Sequence, residues 1–337
     1  GGTHSIGFYG HALSEDLDLL TGTLAETLRQ PTFPLDHVER LRGQLLTGLA
    51  IRAQDTSEVA SLTFDELVYE GHPYRRPEDG YPKTIQAISR DDLAAFHEKY
   101  FGPHGMVISI VGGVDAERAL DSITRYLADW ENPQQPHQPE LPAVKPINNI
   151  ISRQVNIPGK SEADVMMGVA GPPRRSPDFL AASIGNNILG QFGMMGRIGE
   201  SVRERSGLAY YASSSLSGGI GPGPWLFIAG VEPKNLEKAI DLMRQEIRTF
   251  VNEPVSREEL ADSQTNYIGR LPLSLESNAG VAASLLNLER YQLGLDYYQR
   301  YPDLIRGITT DEILETARHY LHPDRLAIAT AGTFNAV

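Results

Sequence analysis

Nine histidines and no cysteine define what the chain can bring to metal or acid–base chemistry. His319 and His322 stand close to one helical turn apart. They straddle the end of a helical pattern, however, and no carboxylate is placed to complete a ligand set. His72 precedes Pro73 and Tyr74 in a turn, and His97 lies in an amphipathic stretch where a packed or exposed ring is the expectation. No metal is therefore expected in this chain. Ser213, Ser214 and Ser215 have no histidine nearby to activate them and read as polar strand residues. The segment from Gly190 to Gly199 has the glycine content of a phosphate loop, yet no Lys-Ser or Lys-Thr pair follows it, and Met194 and Met195 are poor phosphate neighbours. A mobile turn with close backbone approach is the reading it supports.

Composition removes further classes. At 337 residues and 41% apolar content the chain can bury one large core or two ordinary ones. Thirty Lys and Arg against 43 Asp and Glu give a net charge of -13, which disfavours nucleic acid and anionic membranes as partners. No apolar run approaches the roughly 20 residues of a membrane span, so a soluble protein without membrane insertion is expected. Its compartment is left undecided. The first residues lack the charged and apolar regions of a signal peptide, and the strand-like stretch Ser5 to Leu13 follows no turn or cap, which points to a start inside a domain.

The elements that must position any site come in two sets. Between Glu131 and Pro142 four prolines in twelve residues impose extended structure, so the expected division is a first lobe over 1–130, a linker over 131–146 and a second lobe over 147–337. The lobes repeat each other at an offset of 220: Ile88 to Tyr100, Pro103 and the strand Met106 to Gly112 match Ile308 to Tyr320, Pro323 and Leu326 to Gly332. Each copy begins with a Ser or Thr cap before acidic residues. In the second lobe, strands are predicted at Ser152 to Ile157, Ala163 to Gly171, Leu208 to Leu216 and Pro224 to Val231, with a helix from Asp178 to Leu189. The fold class is α+β: two homologous lobes, each a sheet with helices on one face. By the offset, roughly 70 residues of the second lobe have no counterpart in the first, so the first is expected to be N-terminally incomplete and covered by a preceding segment or another chain.

The run from Ile188 to Tyr211, with Gly190, Gly193, Gly196 and Gly199 leading into Val202-Arg-Glu-Arg-Ser-Gly-Leu-Ala-Tyr210, resembles the insulinase/pitrilysin-type zinc peptidases, mitochondrial-processing-peptidase-like members in particular. Leu13 to Leu17, Pro31 to Pro34 and Gly71 to Tyr74 extend the resemblance over essentially the whole chain. It implies that Arg203 and Tyr210 contact substrate. Gly207 suits the left-handed ending of a helix, leaving Arg203 in its last turns and Tyr210 at the start of the next strand. An Arg fork and a phenol can both donate to a peptide carbonyl or oxyanion. The resemblance also suggests that the Gly190 to Gly199 turn handles incoming peptide.

Active members of that family hold zinc with His-x-x-Glu-His and a Glu on a later helix. No His-x-x-Glu-His occurs here, and the later Glu aligns with Gly48, with no Asp or Glu between Glu39 and Asp55. The expectation is a chain inactive alone, binding peptide for a homologous subunit that carries the zinc motif and the zinc. Two alternatives remain: a structural scaffold like the core subunits of respiratory cytochrome complexes, and a piece of an active peptidase.

Overall fold

The computed structural model describes residues 1–192 and 196–334. Helices α1 (Leu17–Arg29), α2 (Leu35–Arg52), α3 (Thr56–Val68), α4 (Pro82–Ala87), α5 (Arg90–Tyr100) and α6 (Ala116–Leu127) come first. Strands β1 (Ile151–Asn156) and β2 (Ala163–Ala170), helices α7 (Phe179–Gly190) and α8 (Gly196–Gly199), and strands β3 (Ala209–Gly218) and β4 (Pro222–Val231) follow. The chain ends in α9 (Leu236–Asn252), α10 (Arg257–Ser274), α11 (Asn278–Tyr291), α12 (Tyr297–Arg306), α13 (Thr310–Tyr320) and β5 (Ala327–Gly332). The class is α+β, and the five strands stand where the apolar runs of the second half place them. The 220-residue offset holds down to the capping boxes: Ser89 accepts from the Asp92 N–H at the start of α5, and Thr309 from the Glu312 N–H at the start of α13.

Two compact units form, and they do not follow the division into 1–130, 131–146 and 147–337. One comprises Gly1–Leu49, Glu78–Glu140 and Ser274–Arg290; the other comprises Ala50–Pro77, Leu141–Leu273 and Tyr291–Val337. Helix α3 thus belongs with strands that lie a hundred residues downstream, and α11, its counterpart at the offset, belongs with the first half of the chain. Proline content identifies a flexible connection; it does not say which side of a sheet an earlier helix covers.

In the sheet unit the strand order is β1-β5-β2-β4-β3, with β1 parallel to β5 and every other pairing antiparallel. Alternation assigns the two faces. Val165, Met167, Trp225, Phe227 and Ile328 point into the larger core against α7, α9 and α13. Met166, Ala327, Ala329 and Ala331 point the opposite way, against Ala60, Phe64 and Val68 at i, i+4 and i+8 of α3. Helix α3 thus packs on the face opposite α7, α9 and α13. The small side chains of β5 let α3 lie close, which is why so alanine-rich a strand is buried on both faces. Below α3, the Gly71 to Tyr74 turn holds the β3–β4 hairpin: Tyr69 donates to the Pro222 carbonyl and Tyr74 accepts from the Gly221 N–H, both at 3.0 Å. His72, 3% exposed, accepts from the Tyr74 N–H and is a packed turn residue.

In the helical unit α1 packs on α6, with Asp18 accepting from Ser122 and Arg125 at 2.7 Å each. His97 places Nε2 2.7 Å from the Leu28 carbonyl. The stretches 5–13 and 106–112 form no strand among the described residues, contrary to expectation; an isolated bridge joins Gly2 and Ser5. The reason is pairing. By the offset they correspond to β4 and β5, both of which bond to β2, and among the described residues no strand in the first half of the chain stands in β2's place beside them. The proline-rich segment has no regular structure but is not a free spacer. Asn132 donates to the carbonyls of Glu98 and Phe101 at 2.8 and 2.7 Å, tying its first residues to the end of α5.

Candidate substrate-binding site

The path to Arg203 and Tyr210 begins on α7, which a buried polar network fixes to the sheet. Asn186 Oδ1 accepts from Ser214 Oγ at 2.8 Å and from Trp225 Nε1 at 3.0 Å, while Asn187 donates to Ser263 at 2.8 Å. Each group is satisfied, so the network fixes one orientation at little cost. This accounts for Ser214, which is structural.

After α7 the chain turns sharply. Gly196 has φ +62°, and a Cβ there would lie 2.5 Å from the Ile188 carbonyl oxygen and 2.7 Å from the Gly190 nitrogen. Gly196→Ala is expected to cost about 2–4 kcal/mol through left-handed strain and backbone collision, read as a lowered midpoint in chemical denaturation. An unchanged midpoint would refute the close-approach role. Gly193, Met194 and Met195 lie outside the described residues.

Arg197 then pins the new helix. Its guanidinium makes paired bonds of 2.6 and 2.7 Å to Glu259, which also accepts from the Ser256 N–H at 2.8 Å. Burial alone would push the Glu259 carboxyl up, but these donors outweigh it and hold the group at about 2. Beyond α8 the helix widens into π geometry over Glu200–Arg205. An α-helix was the expectation; the extra residue per turn re-aims Arg203 relative to α8, a distortion frequent at functional sites.

Gly207, at φ +60°, ends the helix, its N–H donating to the Arg203 carbonyl at 2.9 Å and the Leu208 N–H to that of Val202 at 3.1 Å. Strand β3 starts at once, and its register against β4 slips between Ala209 and Tyr211. Tyr210 occupies that bulge and is 65% exposed, whereas Tyr211 turns inward and donates to buried Asp164. The inward Tyr hydroxyl is held well above its usual range by burial and by Asp164. Arg203 is 34% exposed, its Nε 3.7 Å from Glu204, which among the described residues leaves most of its donors uncommitted. Lys234, paired to Glu232 at 2.5 Å, lies close enough to Tyr210 to feel its hydroxyl.

An open groove of about 320 Å³ runs beside this helix, lined by Phe192, Arg197, Glu200, Glu204, Glu259 and Asp262. Its balance is acidic. Arg203 and Tyr210 were named from the sequence, but Arg197 and Glu259 were missed, since an ion pair across 62 residues leaves no periodic trace, and Lys234 was missed because its place beside Tyr210 depends on the strand fold. Only the Ser-x-x-Glu spacing of Ser256 and Glu259 hinted that Glu259 caps a helix.

Gly48 lies exposed on α2 with open space around it and no donor atom in its side chain, and among the described residues no three His, Asp or Glu are grouped to hold a metal ion. His322 accepts from the Asp324 N–H, and His319 stacks near Tyr320.

A family model described as the peptidase M16 inactive domain matches residues 87–267, more than half of the chain. An uncharacterized zinc protease of Mycobacterium leprae is 23% identical over 331 residues, covering 97% of this chain and 73% of that protein. One from Streptomyces coelicolor is 23% identical over 320 residues, covering 93% and 69%. Among solved structures, a peptidase M16 inactive domain from Pseudomonas fluorescens matches with a TM-score of 0.88 at 26% identity, over 96% of this chain and 76% of that one. A chain of Complex III2 from Candida albicans matches at 0.72 with 14% identity, over 95% and 76%, a likeness of fold alone. Sequence match and fold agree, and the chain belongs to the peptidase M16 inactive-domain family.

Proposed function

We propose that this chain is the non-catalytic, peptide-binding half of a zinc metalloendopeptidase, holding an extended substrate for a homologous subunit that carries the zinc. The observation that supports it best is Tyr210, a phenol lifted to 65% exposure by a β-bulge in the same helix–turn–strand segment as Arg203, whose donors are largely uncommitted among the described residues. Exposing a large aromatic costs apolar burial, and a bulge that does so is a designed feature. In this role the Arg203 fork donates to a peptide carbonyl while the Tyr210 hydroxyl supplies a second donor, and both bonds strengthen as charge develops on that oxygen. The acidic groove beside them gives a basic stretch of peptide a complementary path.

The test is reconstitution. The chain is combined with the zinc-motif homologue that co-purifies with it, and turnover of an extended basic peptide is compared for wild type, Arg203→Ala and Tyr210→Phe. The chain alone is expected to be silent, the mixture active, and Arg203→Ala to lower kcat/KM by about 10²-fold, with a smaller loss for Tyr210→Phe. Unchanged turnover in both variants would end the clamp assignment, and chelator-sensitive hydrolysis by the chain alone would end the division of labour.

A further inference from the structure

His104 lies in the turn after α5, and His137 lies 33 residues later in the proline-rich segment. Nδ1 of His137 stands 3.2 Å from Nε2 of His104, with ring centroids 4.8 Å apart and planes at 80°. Both residues are exposed. Their backbones are nonetheless fixed: Gln135 accepts from the His104 N–H and donates to the His104 carbonyl, both at 3.0 Å, and its side chain packs on Gly102 together with Asn132. The pair is thus assembled by a hydrogen-bonded loop rather than met by chance on two long side chains.

Two imidazole nitrogens bound to one tetrahedral ion at 2.0–2.1 Å stand about 3.3–3.4 Å apart. The observed separation is close to that, and a hydrogen bond between two exposed rings contributes little against water. We propose that His104 and His137 form a two-imidazole site for a borderline divalent transition-metal ion, Zn²⁺, Ni²⁺ or Cu²⁺, which clips the proline-rich segment to the end of α5. Water completes the coordination sphere. Two protein ligands fall short of the three that a resident catalytic ion takes, so the site is separate from any peptidase zinc and takes up its ion reversibly. Its effect is mechanical: the ion closes a 33-residue loop and stiffens the chain just before Glu140, where the chain leaves its unit for the sheet unit.

The test is titration of the intact, tag-free chain with NiCl₂ by calorimetry, and with CuCl₂ by electron paramagnetic resonance. One saturable equivalent is expected, with nitrogen superhyperfine structure from two imidazoles. His104→Gln and His137→Gln should each weaken binding at least tenfold, while His319→Gln leaves it unchanged. Absence of saturable binding below millimolar metal overturns the proposal, as does binding that survives in both His104→Gln and His137→Gln. Because both rings are exposed, circular dichroism of the variants is expected to match wild type, so a loss of binding reports the site.

Discussion

Replacing Phe64 by alanine is expected to destabilise the sheet unit by about 3–5 kcal/mol, as measured by urea denaturation in a Trp130→Phe background, where the near-ultraviolet tryptophan signal is that of Trp225. Phe64 is 1% exposed, and its ring packs in the buried cluster between α3 and the alanine face of β5. The position is diagnostic because it lies in the first fifth of the sequence, whereas Trp225 and β5 lie in the second half. If the two halves of the chain were separate lobes, the Trp225 transition would ignore the substitution. A loss under 1 kcal/mol would show that α3 is not part of that core. Phe64→Leu, which keeps much of the volume, is expected to cost less than half as much.

One residue along the same helix, Asp65 gives the largest expected pH effect. Burial pushes its carboxyl up to about 7. In the unfolded chain an aspartate ionises near 3.9. Between those values the native state keeps a proton that the unfolded state has released, so the native state binds more protons and stability falls as pH rises. Below about pH 4 the carboxyl is neutral in both states and no penalty exists; above about 7 the penalty is complete. Asp65→Asn keeps the shape and removes the charge. It is expected to be neutral at pH 4 and stabilising by about 2–4 kcal/mol at pH 8. Parallel stability profiles for the two proteins from pH 4 to 8 would show that water reaches the carboxylate and that burial has not shifted it.

Much of the second half was legible in the sequence because its elements are long, regular and locally signalled. The run from Ala163 to Ala170 is apolar except for Asp164, as befits a strand buried on both faces, and Thr309 with Glu312 announces a helix start. Gly207 also spoke for itself, since a glycine between a helical pattern and a strand pattern implies a left-handed ending. What stayed hidden was set by contacts between distant segments. Nothing in Ala60, Phe64 and Val68 says which sheet they will meet, and the stretches 5–13 and 106–112 have strand composition without strand pairing. At the candidate site the types and positions of Arg203 and Tyr210 were readable, whereas the π geometry and the bulge that orient them arise from one residue too many between fixed anchors. That mismatch can be seen only when Asn186, Arg197 and the β3–β4 register are all in place.

The exchange of α3 and α11 bears on how such a protein can be taken apart. The chain passes from one compact unit to the other five times, so no single cut separates them. A fragment starting after Pro142 would carry the whole sheet but leave Met166 and the alanines of β5 uncovered, and the complementary fragment would lack α11. Each half would then present a helix-sized apolar scar and seek the other, so two pieces produced together would reassemble while either alone would aggregate. Division of this architecture into separate genes is therefore workable at the ends of the chain, and the proline-rich segment, for all its appearance of a seam, is a poor place to divide it.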